Sequence, residues 1–366
     1  MNRKIFAVLS LVFCAALTLA FNFSVADAQN SAPSNRPRQA ATPSPTVTPN
    51  AVPAVTPTPE VEEIIKVDTE LVNLNVRVID RNNRPINNLA QKEFQILEDG
   101  VPQPIEFFSK SEVPTNYTLV IDNSGSLRMQ LEKVIEASKI LVNSNRPDDE
   151  TSIIRFVSRD KISIEQDFTS DKTELSDSLE NLYTEGGQTA IIDAVYLAAE
   201  KVTEYESREK NADRKRRALI LISDGEDRDS FYKEPQLFEL LKESDVQIYV
   251  VGFVSELTKE GGFISKSPQA KAKAFLEKLA TTTGGKSYFP NDVSELDAIA
   301  KDISNELRTQ YSIGYIPTND RRDGSFRNIK VQVADGPNKQ KRIAVTRAGR
   351  TATPDGAPTL QNTKKQ

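Results

Sequence analysis

Histidine and tryptophan are absent from these 366 residues, and cysteine occurs once, at Cys14. Without imidazole there is no Ser-His-Asp triad and no Cys-His nucleophile; a lone cysteine excludes a thiolate zinc site and any disulfide within the chain. A P-loop lysine motif is missing as well. Neither sign of charge is in excess, with 47 Lys and Arg against 52 Asp and Glu, so the net charge of −5 gives nucleic acid no foothold. Stability must then come from an apolar core, which this length allows.

What is present begins with a basic start, an apolar stretch from Ile5 to Phe21 and an Ala26-Asp27-Ala28 ending. That is the pattern of a secretory leader cut after Ala28, and Cys14 lies inside it. The rival reading is an uncleaved anchor, since the apolar stretch approaches a spanning length; only in that case would the chain touch a membrane. LVFC lacks the small residues that precede a lipidated cysteine. Residues 29–59 are rich in Pro, Thr, Ala and Ser, cannot bury apolar surface, and read as an extended spacer.

The chemistry concentrates in three places. YTLVID ends at Asp122 and continues as Asn123-Ser124-Gly125-Ser126; Thr189 follows Gly186-Gly187-Gln188; ALILIS precedes Asp224-Gly225-Glu226-Asp227. Both apolar runs are short and rich in β-branched residues, as buried parallel strands are, so both aspartates leave one sheet edge together. In an extended loop, alternate residues share a side, which aims Asp122, Ser124 and Ser126 at one point. Carboxylates and hydroxyls of this kind suit magnesium, which takes about six oxygens at roughly 2.1 Å and usually keeps some water. Taken alone, DNSGS also reads as a turn and cap before a helix starting near Arg128.

With Thr189 and Asp224 added, DNSGS, GGQTA and LISDGED resemble the metal-ion-dependent adhesion site of von Willebrand factor A-type domains, over about Tyr117 to Arg308. The resemblance implies a doubly wound, mostly parallel α/β sheet in strand order 3-2-1-4-5-6, flanked by helices, with its site at the topological switch point. It implies that Asp122, Ser124, Ser126 and Thr189 surround Mg2+ (or Mn2+ or Ca2+), with Asp224 acting through water. The partner it implies is a protein offering an Asp or Glu carboxylate, in adhesion or envelope assembly.

Outside that region the pattern is β-like. Val72, Leu74, Val76 and Val78 alternate with polar residues, and Glu98-Asp99-Gly100 marks a hairpin. Ile329, Val331 and Val333 alternate likewise, and Ile343 to Thr346 offers a further strand. These segments resemble the flanks of exported bacterial proteins with VWFA-related domains, and the two ends are expected to form one additional small β module. The expected division is 1–28 leader, 29–59 spacer, 60–112 β segment, 113–309 A-type domain, 310–349 β segment and 350–366 unstructured tail.

Between the flanks, strands alternate with helices. Helices are expected from about Arg128, from Ala190 to Tyr205, after Pro235, after Ser267-Pro268, and from Ser294 with Ser294 and Asp297 as a capping pair. Arg208 to Arg217 reads as a solvated basic loop, and Glu226, Asp227 and Asp229 as an acidic rim that is either solvated or tunes the site. The enzyme alternative is a magnesium-dependent phosphohydrolase of haloacid dehalogenase type, with Asp122 as nucleophile. That chemistry needs a second Asp two residues on, where this chain has Ser124. The reading favoured by the residues is an exported, metal-dependent protein-binding module and not an enzyme, located in periplasm, on the surface or outside the cell.

Overall fold

The computed structural model describes residues 71–110, 113–207, 215–259 and 267–354. The leader, the spacer, residues 60–70 of the first β segment, 208–214 of the basic cluster and the end of the tail lie outside these. Among the described residues no helix is long and apolar enough to cross a membrane.

In chain order, the first strands are β1 (Val72–Ile79), β2 (Phe94–Glu98), β3 (Val101–Gln103), β4 (Phe107–Ser109) and β5 (Thr115–Asp122). Then come α1 (Leu131–Ser144), β6 (Glu150–Phe156), β7 (Ile162–Thr169), α2 (Lys172–Glu180), α3 (Ile191–Ser207) and β8 (Arg216–Ser223). They are followed by α4 (Glu234–Glu243), β9 (Gln247–Gly252), α5 (Pro268–Thr283), β10 (Ser287–Tyr288) and α6 (Leu296–Arg308). The chain closes with β11 (Tyr311–Tyr315), β12 (Phe326–Val333), β13 (Ile343–Val345) and β14 (Gly349–Thr351).

The central sheet has the order β10-β9-β8-β5-β6-β7. Numbered within this unit, that is 3-2-1-4-5-6 read from β7, as expected. Every pairing is parallel except β6 with β7. Alternation along β5 sends Val120 to one face, with Leu219, Leu221 and Val250, under α3, α4 and α5. Leu119 and Ile121 go to the other, with Ile220 and Val251, under α1, α2 and α6. Both faces are therefore covered, which is why β5 is buried at every residue. Each fully buried Leu, Ile or Val contributes about 1.5–3 kcal/mol.

The flanking segments form two four-stranded sheets, β13-β1-β11-β4 and β14-β12-β2-β3, packed over one core. Val72, Leu74, Val76 and Val78 line its one side and Ile329 and Val331 its other. Asp99 at φ 49° and Gly100 at φ 83° make the tight turn joining β2 to β3. The sandwich reaches further than the sequence pattern suggests. β14 pairs with β12, Arg350 is buried against Glu98 at 3.0 Å and Ala352 is buried, so the ordered chain passes residue 349.

Other local expectations are corrected. α1 starts at Leu131, after a 3-10 turn at Gly125–Leu127. Ser294 and Asp297 do not cap α6: a 3-10 turn at Val293–Glu295, itself capped by Asp292 with Glu295, precedes that helix, and the α6 N-cap, Glu295, makes no side-chain capping bond. Arg216 belongs to no solvated loop: it is fully buried, and its guanidinium donates to the Leu307 and Gln310 carbonyls at 2.7 Å each. The Arg216 N–H also donates to the Pro114 carbonyl at 2.8 Å. The chain thus enters the α/β half before β5 and leaves it after α6 at one place, the starting edge of the central sheet.

Candidate metal centre

Asp122 is the last residue of β5 and Ser223 the last of β8, and the register pairing Ile121 with Ile222 sets them side by side. Ser223 Oγ donates to Asp122 Oδ2 at 2.7 Å, while the Ser124 N–H donates to Oδ1 at 2.9 Å. Asp224 follows one residue on, its Oδ1 accepting from the Glu226 N–H at 3.0 Å, and Gly225 takes the left-handed φ of 82° that turns the chain there. Asp122, Ser124 and Asp224 are all buried.

Ser124 Oγ and Ser126 Oγ lie 2.9 Å apart. They meet although the loop is not extended through Ser126: the 3-10 turn at Gly125–Leu127 tightens the chain and leaves Ser126 exposed above a buried Ser124.

The loop before α3 is stitched to both others. Asn123 Nδ2 donates to the Tyr183 carbonyl at 2.9 Å, and the Glu185 N–H donates to the Asn123 carbonyl at 2.9 Å. The Thr189 carbonyl accepts from the N–H groups of Arg228 at 2.8 Å and Asp229 at 3.1 Å. Gly187 comes so close to the residue that follows β6 that a Cβ there would sit 2.6 Å from Val157 Cγ1. Thr189 is buried, and its loop is fixed between the Asp122 loop and the Asp224 loop.

Several supports carried no motif. Ser223 is one; Asp193, buried in the first turn of α3, is another, accepting from the Phe231 and Tyr232 N–H groups at 2.8 and 2.9 Å. Spacing offers one signal for Asp193: an acid in a first helical turn next to a glycine-rich loop. The acidic rim is largely internal bracing. Glu226 pairs with Arg228, Asp229 with Arg159 at 2.8 Å, and Asp227 accepts from the Ile192 N–H at 3.2 Å at the start of α3.

Electrostatics set this corner apart. Burial pushes Asp122 up to about 6; hydrogen bonds from Ser124 and Ser223 oppose the rise and the nearby Asp224 carboxylate adds to it. Among the described residues, neither carboxylate has a lysine or arginine at ion-pair distance; their partners are hydroxyls and backbone N–H groups. Two buried carboxylates without countercharge fit a divalent cation. Among the described residues no group of three or more His, Cys, Asp or Glu gathers as a metal site, and the donors expected here are two carboxylates and three hydroxyls.

Residues 116–302 match the model of the von Willebrand factor type A domain, just over half of the chain. Uncharacterized protein sll0103 of Synechocystis sp. is 33% identical over 115 residues, which are 31% of this chain and 26% of that protein. The match thus spans about a quarter of that relative's length. An aerotolerance-related membrane protein from Bacteroides fragilis is 20% identical in structural alignment, covering 53% of this chain and 98% of that one at a TM-score of 0.39. A von Willebrand factor type A protein from Catenulispora acidiphila is 10% identical, covering 81% and 77% at 0.43. Proximal thread matrix protein 1 from the mussel byssus, in a form with zinc in its MIDAS motif, is 18% identical, covering 54% and 48% at 0.42. Likeness at these scores carries no argument about the site.

Proposed function

The chain belongs to the von Willebrand factor type A domain family, and from that premise we propose that it is a metal-dependent protein-binding module and not an enzyme. The observation that carries this reading is the pair of buried carboxylates, Asp122 and Asp224, that lack a cationic partner among the described residues beside the touching Ser124 and Ser126 hydroxyls.

In this proposal Asp122, Ser124, Ser126 and Thr189 would hold Mg2+, or Mn2+ or Ca2+, and Asp224 would act through water. When bound, the cation supplies a coordination position for an Asp or Glu carboxylate of a partner protein, and keeps net positive charge because few of its ligands are anionic. The protein's own part is placement. Ser223 and the Ser124 N–H orient Asp122, and the Thr189 carbonyl bonds hold the second loop against the third. Nothing favours the phosphohydrolase alternative: Ser124 stands where that chemistry needs a proton-donating Asp. The N-terminal pattern supports an exported location, in adhesion or envelope assembly; N-terminal sequencing of the protein from fractionated cells tests it.

Calorimetric titration with Mg2+ and Mn2+ tests the site itself. Binding by the wild type that is lost in Asp122→Ala, with the same circular dichroism, is the expected result; equal affinity in both removes the assignment. Capture of a partner from the cell envelope should require Mg2+ and fail in EDTA and in Thr189→Ala. Release of phosphate from small esters that stops in Asp122→Asn would move the chain into the enzyme class.

A further inference from the structure

Around the proposed ion, three large apolar side chains stand in solvent: Met129 at 85%, Phe231 at 68% and Tyr183 at 57% of full exposure, the highest values of any large apolar residue described. Each comes from a different loop of the site: Met129 from the turn after Ser126, Tyr183 from the loop between α2 and Thr189, and Phe231 from the segment after Asp224. Met129 is also the only methionine after Met1. Scattered apolar residues need no explanation, but these three stand on loops that are bonded to one another through Asn123, Thr189 and Asp193, and exposed apolar side chains so placed suit an interaction surface.

Two of the three are held stiffly. The Tyr183 carbonyl is bonded by Asn123, and the Arg155 guanidinium lies 4.5 Å from the ring centre. The Phe231 N–H is bonded by Asp193, and its ring stands edge-on to Tyr232 at 5.4 Å, which itself stacks on Tyr196 at 3.9 Å. Aromatics fixed in this way lose little freedom on binding, which is what favours them as anchors. Beside Met129 stands Arg128, exposed and without an ion-pair partner among the described residues.

We propose that this rim selects the partner: the segment it takes is a protein loop or chain end in which the coordinating Asp or Glu is flanked by large apolar side chains. This rests on the metal-dependent reading above and deepens it. The carboxylate meets the cation, the flanking side chains pack on Met129, Tyr183 and Phe231, and the positive charge of Arg128 favours an acidic segment over a basic one. Met129 suits the role of an adaptable contact beside two rigid ones.

The test is selection of a displayed random-peptide library on the immobilised full-length chain in MgCl2, with elution by EDTA. Enriched peptides should carry an Asp or Glu with apolar or aromatic neighbours. Each of Met129→Ser, Tyr183→Ser and Phe231→Ser should weaken the selected peptides by about tenfold or more, with Mg2+ affinity unchanged by calorimetry. Acidic peptides with no apolar flanks, or variants that keep full peptide affinity, would overturn the rim proposal and leave the ion site standing. Peptides without an acidic residue, elution insensitive to EDTA, or no enrichment at all would overturn both. Mg2+-independent binding to phosphatidylglycerol vesicles that the same variants abolish, with peptides unaffected, would make the rim a lipid contact and end the proposal.

Discussion

The sandwich and the edge of the central sheet both bury charge, and they treat it in opposite ways. In the sandwich, Glu98 meets Arg350 at 3.0 Å and the Tyr315 hydroxyl, and at its junction with α6 Arg77 meets Glu306 at 3.0 Å, where Lys286 also reaches it at 3.3 Å. At the sheet edge, Asp122 and Asp224 have, among the described residues, only hydroxyls and backbone N–H groups as partners. A buried charge is costly in either place. Where every one is paired, the cost is met inside the fold and the group serves architecture; where two acids are left together, the balance awaits something from outside. Burial alone did not separate the two regions. Pairing did.

The largest expected effect tests the sandwich side. Deleting residues 71–110 removes β1 through β4, half of each outer sheet, and bares β11 and β12. The shortened chain should aggregate or be cut in its 311–351 region during limited proteolysis. A monomeric, resistant fragment would show that the two halves do not depend on each other. Next in size, Arg350→Met strands Glu98 in the core and should cost about 3–5 kcal/mol, read as a fall in Tm. By contrast, Asp122→Asn in metal-free protein removes an unpaired buried charge and should leave Tm level or higher, while Mg2+ binding disappears. If both variants destabilise alike, the contrast between paired and unpaired acids fails.

A smaller effect follows from pH. The folded carboxyl of Asp122 rises from 3.8 to about 6, so the metal-free folded state holds its proton more tightly than the unfolded chain does. This group's contribution to metal-free stability is full below the unfolded value and is lost as pH rises through the folded one. A cation competes with that proton, so the Tm gain from MgCl2 should be small near about pH 5 and larger near about pH 7. A gain that is flat across this range would remove Asp122 from the site. The smallest expected effect is Asp193→Ala, which frees two loop N–H groups, costing about 1–2 kcal/mol and weakening Mg2+ by several-fold in calorimetry.

Much of this was legible because its signals are local or periodic. The alternation at Val72 to Val78 and the runs ending at Asp122 and Ser223 each state strand and face within a few residues. That Asp122 and Asp224 leave the sheet side by side was readable because each follows a short buried run that closes a parallel strand. What escaped depends on distant partners or weak pattern. α2 shows only Leu175 and Leu179 as buried residues, one turn apart in a polar stretch, too little to mark a helix. Arg216 looked like one of four basic residues in a row; its buried role depends on carbonyls at Leu307 and Gln310, about ninety residues away. Ser223 passed as an ordinary strand end until parallel pairing set it against Asp122.

The place where Arg216 gathers Pro114, Leu307 and Gln310 has a mechanical meaning. Both attachments of the α/β half lie at the starting edge of its parallel sheet, while Asp122 and Asp224 lie at the finishing edge, roughly 25 Å away along eight-residue strands. Tension between a partner at the ion edge and the sandwich therefore runs lengthwise through β5 and β8, loading their shared hydrogen bonds in shear, all at once and not one by one as in peeling. In single-molecule stretching from that edge, the centre should hold to higher force than the short β13 or β14, each joined by only three residue pairs.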